Sequence, residues 1–128
     1  MSNLRHSKQR DSILLYLAGT KEHPTADTIY ENVRQEHPNI SLGTVYRNLA
    51  LLTEMGEIQK LTIPGHSERY DYTAENHYHF ICRKCGCVQD LPMPIMSSIN
   101  KMAELGFDGM IEDHRCQFFG ICASCKEL

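Results

Sequence analysis

Several features that would mark a membrane or secreted protein are missing from this sequence. No apolar run approaches the length of a membrane-spanning helix, and residues 1–6 contain no apolar signal core. Internal repeats and low-complexity segments are also absent. The formal net charge of −3 argues against nonspecific polyanion binding over the whole surface, although it allows a local basic patch. We therefore expect a soluble, cytoplasmic protein with no membrane partner.

In the first half of the chain, the apolar residues have the spacing of three helices. Thr25 and Ser41 are good N-caps for the second and third helices, and Gly56 is placed to end the third. A break at residues 37–39 separates these two helices. The positions expected to be buried are Ile13, Leu14, Leu17, Ala26, Ile29, Tyr30, Val33, Val45, Leu49 and Leu52.

Beyond Gly56 the apolar period shortens, as is typical of strands. Residues 58–63 and 69–72 predict a hairpin around a Pro-Gly turn. Three short helices followed by a hairpin predict a winged helix-turn-helix domain at residues 1–72. Residues 73–76 are the expected hinge.

The second half predicts a small α/β unit at residues 77–128, so the whole chain should be of the α+β class. Strands are expected at Tyr78 to Ile81 and Val88 to Leu91, with one or two more between Phe107 and Gly120. An amphipathic helix is expected from Pro94 to Leu105. Its expected inward-facing residues are Ile95, Ile99 and Met102, with Gly106 as the C-cap.

Two Cys-x-x-Cys pairs, Cys82/Cys85 and Cys122/Cys125, bracket this second half. Four thiolates in two such knuckles match the tetrahedral ligand set of a closed structural zinc site. Since no secretion signal is evident, metal binding is a better interpretation than a disulfide framework. The alternative is that the pairs form disulfides or a redox pair.

A second metal site is indicated by His77 and His79, just before the first cysteine pair. Alternate residues of a strand point to the same face. The two imidazoles can therefore lie together while Cys82 lies on the other face. One short stretch thus predicts ligands for two different metals.

These motifs together resemble a known family. The third-helix stretch Thr44-Val45-Tyr46-Arg47-Asn48-Leu49, the His77-Tyr78-His79 motif and the two cysteine pairs look like the ferric uptake regulator family. Its members are bacterial metal-dependent repressors. The resemblance covers nearly the whole chain, and it implies a homodimer on double-stranded operator DNA, with residues 77–128 as the metal-binding dimerisation domain.

The peroxide-sensing branch of that family is similar in further detail. Its regulatory site uses three histidines and two aspartates, and iron-sensing relatives usually have glutamate where this chain has Asp90. A mixed imidazole and carboxylate set suits Fe(II) or Mn(II). Each matching residue, taken singly, would read as an ordinary loop or surface residue. The resemblance makes His23 and His77 the oxidation-sensitive residues, yielding 2-oxo-histidine. The implied regulatory ligands are His23, Asp71, His77, His79 and Asp90.

The sequence also departs from that branch. Arg47 looks like the iron-sensing branch, whereas peroxide sensors often carry asparagine there. The family generally has another helix before the stretch matched by Arg5 to Arg10, so its DNA contacts are not expected here. Cys87 and Cys116 lie outside the four-cysteine pattern. We expect both to be ordinary small residues on strands, with zinc-ligand exchange as an alternative role for Cys87.

The third helix carries the candidate groove residues Tyr46 and Arg47. Arginine can bond two acceptors of guanine, and tyrosine can pack on a thymine methyl or a phosphate. Core packing is the alternative for Tyr46. In a dimer the two third helices would lie one DNA turn apart, roughly 34 Å. The candidate phosphate contacts are Arg5, Lys8, Arg10 and Lys60.

Three functions follow from these observations. The first is a peroxide-responsive repressor with structural zinc and a regulatory Fe(II) or Mn(II). The second is an iron-availability repressor of the same fold, which Arg47 favours. The third is a zinc-ribbon or thiol redox module that does not bind DNA. Enzymatic turnover is not expected, because oxidation would consume the protein's own ligands.

Overall fold

The computed structural model describes residues 3–127, with side chains described from residue 8 onward. The chain divides into two compact units, Met1–Glu75 and Asn76–Leu128. This division lies within the expected hinge at residues 73–76, whose mobility remains a prediction. Among the helices of the described residues, none combines the length and hydropathy that a membrane span requires.

The first unit contains the three expected helices, α1 (Asn3–Ala18), α2 (Ala26–Val33) and α3 (Leu42–Glu54). The predicted N-caps are confirmed by hydrogen bonds. The backbone N–H of Thr28 donates to Thr25 Oγ1 at 3.3 Å, and that of Thr44 donates to the Ser41 hydroxyl at 3.1 Å. Each bond satisfies a donor that the first helical turn leaves unpaired. Short polar side chains therefore fix where α2 and α3 begin.

A hairpin completes the first unit. Strand β1 (Gln59–Leu61) pairs antiparallel with β2 (Arg69–Asp71), and Gln59 lies opposite Asp71. Together with the three helices, this hairpin confirms the winged-helix prediction. The core is formed by Ile13, Leu17, Ala26, Ile29, Val33, Ile40, Val45, Leu49, Leu52, Ile58 and Tyr70.

The second unit is built on a three-stranded sheet of order β4-β3-β5. Central strand β3 (His79–Cys82) runs antiparallel to β4 (Val88–Asp90) and parallel to β5 (Gln117–Gly120). Helix α4 (Ser98–Ala103) lies between β4 and β5 in the sequence, and α5 (Ala123–Lys126) follows β5. The α+β class predicted from the sequence is confirmed.

The predicted helix at 94–105 is wrong in extent and in orientation. It is six residues long, and Ile95, Ile99 and Met102 are 38%, 37% and 67% exposed in the single chain. The 53-residue unit has too little structure of its own to cover this apolar face. The segment is amphipathic, as its periodicity indicates, but its apolar face is not part of the core of a single chain.

Candidate metal centres and DNA-facing helix

The four paired cysteines converge in the second unit. Their sulfur atoms all lie within 4.8 Å of one another, and the Cys85 and Cys122 sulfurs are 3.7 Å apart. Cys82 ends β3, and Cys122 is the residue before α5. All four are free thiols, so the disulfide alternative is not what the structure contains. Two strand-to-turn knuckles thus bring a tetrathiolate set together.

Backbone groups prepare this cluster for a metal. Cys82 Sγ accepts N–H groups from Lys84, Cys85 and Cys122 at 3.3 to 3.4 Å. Those of Cys85 and Cys122 are the main cause that lowers the pKa of Cys82 to about 5. A hydrogen bond with Cys122, followed by burial, raises the pKa of Cys125 to about 12. Soft sulfur donors in this arrangement, with N–H groups that stabilise a thiolate, fit zinc.

Cys87 lies beside the same cluster. Its side chain packs against the buried group formed by Cys82, Cys122 and Cys125. Burial, then hydrogen bonds with Cys85 and Cys122, raises the pKa of the Cys87 thiol to about 12. The expectation of an ordinary small residue on a strand, with zinc-ligand exchange as the alternative, is wrong in place, because Cys87 lies just before β4 and beside the cysteine cluster.

The first unit contains two of the five expected regulatory ligands, which we call the His23–Asp71 half-site. His23 Nε2 lies 3.2 Å from Asp71 Oδ2, and both residues are buried. Asp71 ends β2, and its other oxygen accepts the N–H of Thr73 at 3.0 Å. The Thr73 N–H therefore fixes the orientation of the Asp71 carboxylate, whose other oxygen faces the His23 imidazole.

His23 occupies a strained backbone position. Its φ is +52°, a left-handed conformation that costs a residue with a Cβ roughly 1–2 kcal/mol. Arg69 holds the peptide there by donating to the His23 carbonyl at 3.0 Å, and the Tyr70 N–H donates to the Pro24 carbonyl at 3.0 Å. Strain of this kind concentrates at functional sites. Strand β2 thus supplies both the carboxylate and the contacts that set the histidine loop.

The second unit contains the other ligands, which we call the His77–His79–Asp90 half-site. His79 on β3 is the cross-strand partner of Asp90 on β4. Asp90 Oδ1 lies 2.8 Å from His77 Nε2 and 3.4 Å from His79 Nε2. The two imidazole rings are 4.3 Å apart. Both histidines lie beside the same carboxylate, although strand β3 begins only at His79, so strand alternation does not account for the position of His77.

The two half-sites differ chemically from the cysteine cluster. They offer imidazole nitrogens and carboxylate oxygens, a set suited to Fe(II), Mn(II) or Zn(II) rather than to a thiolate-bound metal. Two carboxylates would balance the charge of a divalent ion. Neither half-site alone supplies the five or six donors of a high-coordinate ion.

The third helix presents the candidate groove residues to solvent. Tyr46 is 47% exposed, so the core-packing alternative is wrong, and Arg47 is also exposed. The Arg47 guanidinium donates to Thr44 Oγ1 at 2.9 Å, one helical turn earlier. These side chains are available for contacts to a partner.

The candidate phosphate contacts fall into different settings. Lys8 is exposed, and Lys60 forms a 3.5 Å ion pair with Glu68 across the hairpin. Arg10 is partly buried, and its Nε donates to Asn48 Oδ1 at 3.2 Å, which ties α1 to α3. The side chain of Arg5 lies outside the described residues.

Sequence reasoning missed a polar network in the second unit. The hydroxyl of fully buried Tyr78 lies 2.6 Å from His114 Nε2, and His114 Nδ1 lies 2.6 Å from Asn100 Oδ1. The Tyr78 hydroxyl also accepts the Met96 N–H at 3.0 Å. No short-range pattern links residues 36 positions apart, so the sequence offered no signal for it.

A sequence family matches most of the chain, including both half-sites, Cys82 and Cys85, but not Cys122 and Cys125. A model of the ferric uptake regulator family matches residues 1–119. The chain belongs to that family. The peroxide-responsive repressor PerR of Staphylococcus epidermidis is 37% identical over 126 residues, spanning 98% of this chain and 84% of the relative. PerR of Staphylococcus aureus (strain Mu50) is 36% identical, spanning 98% and 85%.

Solved structures agree with this assignment. The ferric uptake regulator Fur of Helicobacter pylori, described as having three functional metal-binding sites, has a TM-score of 0.78 at 28% identity, over 94% of this chain and 81% of that one. The Campylobacter jejuni peroxide stress regulator has a TM-score of 0.77 at 29% identity, over 95% and 92%. The protein is a PerR-like, metal-responsive repressor of this family, with an N-terminal winged-helix domain and a C-terminal dimerisation domain.

Proposed function

We propose that this protein represses transcription while a regulatory metal is bound and senses peroxide through oxidation of its own histidine ligands. The observation that carries the proposal is the composition of the two half-sites. They contain three imidazoles and two carboxylates and no thiol, with aspartate at position 90. The proposed ligands of one shared Fe(II) or Mn(II) ion are His23, Asp71, His77, His79 and Asp90.

Dividing the ligands between two units would make the metal a conformational switch. Two ligands come from the first unit and three from the second. A ligand changes an equilibrium only by binding one state more tightly than another. An ion that requires both half-sites favours the state in which they meet, and metal binding and operator binding then strengthen each other reciprocally.

Oxidation would end this coupling by damaging the ligands. Bound Fe(II) would donate one electron to peroxide and recover it from the histidine ring as that ring is oxidised, whereas Mn(II) does not readily reduce peroxide. In net terms one oxygen atom of peroxide replaces the Cε1 hydrogen of His23 or His77 as 2-oxo-histidine, and the other leaves as water. The modified ring is a poorer nitrogen donor, so the metal and the operator are released.

The zinc cluster and the apolar surface of the second unit support a homodimer. A unit of 53 residues has little core, and bound zinc would fasten β3 to α5 through Cys82 and Cys122. Strand β5 is at the edge of its sheet, and edge strands readily pair with another chain. The large exposed apolar residues of this unit include Met102, Leu105, Phe107, Met110, Phe118 and Phe119. We infer that a second copy covers this surface.

DNA contacts are assigned to the exposed surface of α3 and to nearby cations. We propose that the exposed Tyr46 and Arg47 contact base edges, and that Lys8 and Lys60 contact phosphates. For Arg10 we propose both a phosphate contact and a structural role, because its side chain already donates a hydrogen bond to Asn48. Arg5 remains a predicted phosphate contact. We infer a cytoplasmic location from the proposed binding to operator DNA.

An iron-availability repressor is the second candidate, and Arg47 is the observation that favours it. Such a protein would lose operator binding when iron is removed, not when peroxide is added. Membership of a repressor family disfavours the third candidate, a thiol redox module without DNA binding.

One experiment separates these candidates. A DNA fragment is selected from a random pool by the Mn(II) form, and its binding is titrated with the Fe(II) and Mn(II) forms before and after peroxide. Loss of binding in the iron form alone supports peroxide sensing, and equal retention in both forms supports iron sensing. Mass spectrometry should find a single-oxygen gain on peptides containing His23 or His77. Peptides with exposed His66 are the internal control.

A further inference from the structure

A buried asparagine interrupts the apolar face of α3. Asn48 is 6% exposed and lies on the helix with the buried residues Val45, Leu49 and Leu52. Burying a side-chain amide costs free energy unless its polar groups form hydrogen bonds inside the protein. The role of Asn48 is therefore to be found in the groups that its amide binds.

Both ends of the Asn48 amide are paired. Its Nδ2 donates to the Thr44 carbonyl at 2.9 Å, one turn earlier in the same helix. Its Oδ1 accepts the Nε–H of Arg10 at 3.2 Å, from helix α1. Because the carbonyl requires a donor and the guanidinium requires an acceptor, these two partners fix the orientation of the amide. Asn48 thus presents its oxygen to Arg10.

The bond to Asn48 uses only one edge of the Arg10 guanidinium. An arginine side chain carries five N–H donors in a rigid plane, one on Nε and the others on the two terminal nitrogens. Holding Nε orients the plane and leaves the terminal nitrogens for a bidentate contact to phosphate. Among the residues whose side chains are described, Arg10 has no hydrogen-bond or ion-pair partner other than Asn48. Arg10 is therefore oriented but keeps donors for a ligand.

Arg10 is anchored beside the surface that we assign to DNA. Thr44 links the two arginines concerned, because its carbonyl accepts the amide that holds Arg10 and its hydroxyl accepts the Arg47 guanidinium at 2.9 Å. Arg47 and its neighbour Tyr46 are exposed on α3. One turn of α3 thus orients a proposed base contact and a proposed backbone contact together.

We propose that Asn48 is a positioning residue for DNA binding, which orients Arg10 so that its terminal N–H groups contact a backbone phosphate. Phosphate contacts set the register of a protein on the duplex and carry no sequence information directly. A fixed Arg10 would therefore set where α3 lies in the groove. The bland alternative is that Asn48 only ties α1 to α3. This inference rests on the proposed DNA contacts of the first unit.

The salt dependence of DNA binding separates these two roles. Asn48→Ala, Asn48→Leu, Arg10→Ala and the Arg10→Ala/Asn48→Ala double variant are titrated, saturated with Mn(II), by fluorescence anisotropy at several salt concentrations. The DNA is the selected operator fragment and a random duplex of equal length. Asn32→Ala is the matched control, because Asn32 Nδ2 donates to the Thr28 carbonyl at 2.8 Å in the same way. In the described part of the chain, no arginine bonds the oxygen of that amide.

Loss of one phosphate contact should lower the slope of log K against log salt by about 0.9, and by about 1.8 in a dimer that loses one in each protomer. Arg10→Ala should show this change, and both Asn48 variants should show more than half of it, since a free Arg10 contacts phosphate only part of the time. Operator and random DNA should weaken by similar factors. The double variant should match Arg10→Ala, because Asn48 acts through Arg10. Asn32→Ala should keep the original slope.

The positioning role is overturned if both Asn48 variants keep the slope of the unmodified protein, even where urea shows lower stability, because a tether between helices affects stability alone. Additive losses in the double variant would overturn it too. An unchanged slope in Arg10→Ala would do so without any substitution at Asn48, and so does not depend on how the Asn48 variants fold. Failure of the unmodified Mn(II) form to bind either DNA would instead reject the proposed DNA binding itself, which is a distinguishable result.

Discussion

Replacing Asp90 with asparagine is the most direct test of the regulatory site. The substitution keeps the shape of the side chain and removes its charge and one oxygen donor. In the structure Asp90 Oδ1 is the atom on which His77 Nε2 and His79 Nε2 converge, at 2.8 and 3.4 Å. Because half of the Asp90 side chain is exposed, the fold depends little on it. The variant should therefore lose metal affinity and keep its stability.

The size of the effect follows from the role of the carboxylate. Disturbing the outer partners of a metal ligand costs about 10- to 100-fold in affinity, and loss of a ligand should cost more. We expect the Kd for Mn(II) to rise by at least about 100-fold, equivalent to about 2.7 kcal/mol. Stability without regulatory metal should change by less than about 0.5 kcal/mol, as for other surface substitutions.

The assay is operator binding by fluorescence anisotropy at limiting and at saturating Mn(II), with zinc measured in parallel. Asp90→Asn should bind DNA poorly at limiting Mn(II), recover at saturating Mn(II) and keep one zinc per chain. Asp108→Asn is the matched control, since it removes an exposed carboxylate from the same unit. Unchanged operator binding by Asp90→Asn at limiting metal would refute the assignment of Asp90 and the metal switch built on it.

Three other perturbations have defined outcomes. Arg47→Ala should lose about 1–3 kcal/mol of operator affinity and relax base preference at one position, with Mn(II) affinity unchanged. Arg34→Ala, at the C-cap of α2, is the control in the same anisotropy assay, and equal losses for both would reject the groove assignment. Tyr78→Phe should lower the free energy of unfolding, measured in urea, by about 1–3 kcal/mol, because loss of the buried hydroxyl leaves His114 Nε2 without this hydrogen-bond partner. Tyr72→Phe, at an exposed position, should change stability little, and a similar loss there would contradict the argument from burial. Removal of zinc by a strong chelator should unfold the second unit and dissociate the dimer, as followed by circular dichroism and sedimentation; an intact dimer without zinc would exclude the structural role.

Local signals in the sequence were enough to predict the first unit. Thr25 and Ser41 act as N-caps because each side chain bonds a backbone N–H within its own first turn. Helical spacing identified the residues that fill the core, and Gly56 follows α3 with φ +76°. Interactions within three or four residues decide such features, so a single sequence is sufficient to read them.

The second unit depends on contacts that local patterns do not encode. Strand β5 pairs with β3 in parallel, with Gln117 opposite His79, and Tyr78 bonds His114. Parallel pairing needs a long connection and has no turn signature. The apolar face that includes Ile99 and Met102 was predicted as core, because a sequence pattern marks a face that needs cover without saying which chain covers it. The cysteine pairs and the two neighbouring histidines were indicated by their own spacing, whereas His23, Asp71 and Asp90 were proposed only through the family resemblance, because each alone looks like an ordinary loop or surface residue.

Strand β3 carries candidate ligands of both metal sites in the second unit. His79 begins the strand and Cys82 ends it, three residues and about 10 Å apart at the usual rise of a strand. The zinc cluster fixes one end through Cys82, which already accepts three backbone N–H groups. The pairing of β3 with both neighbours then sets the position of the His79 ring beside Asp90. In the proposed mechanism, a closed zinc site would contribute to sensing without being the sensor, since it would hold rigid the strand from which the proposed regulatory ligands project. The strained His23 loop of the first unit is the opposite case, because its conformation has a cost that binding of a shared metal would offset.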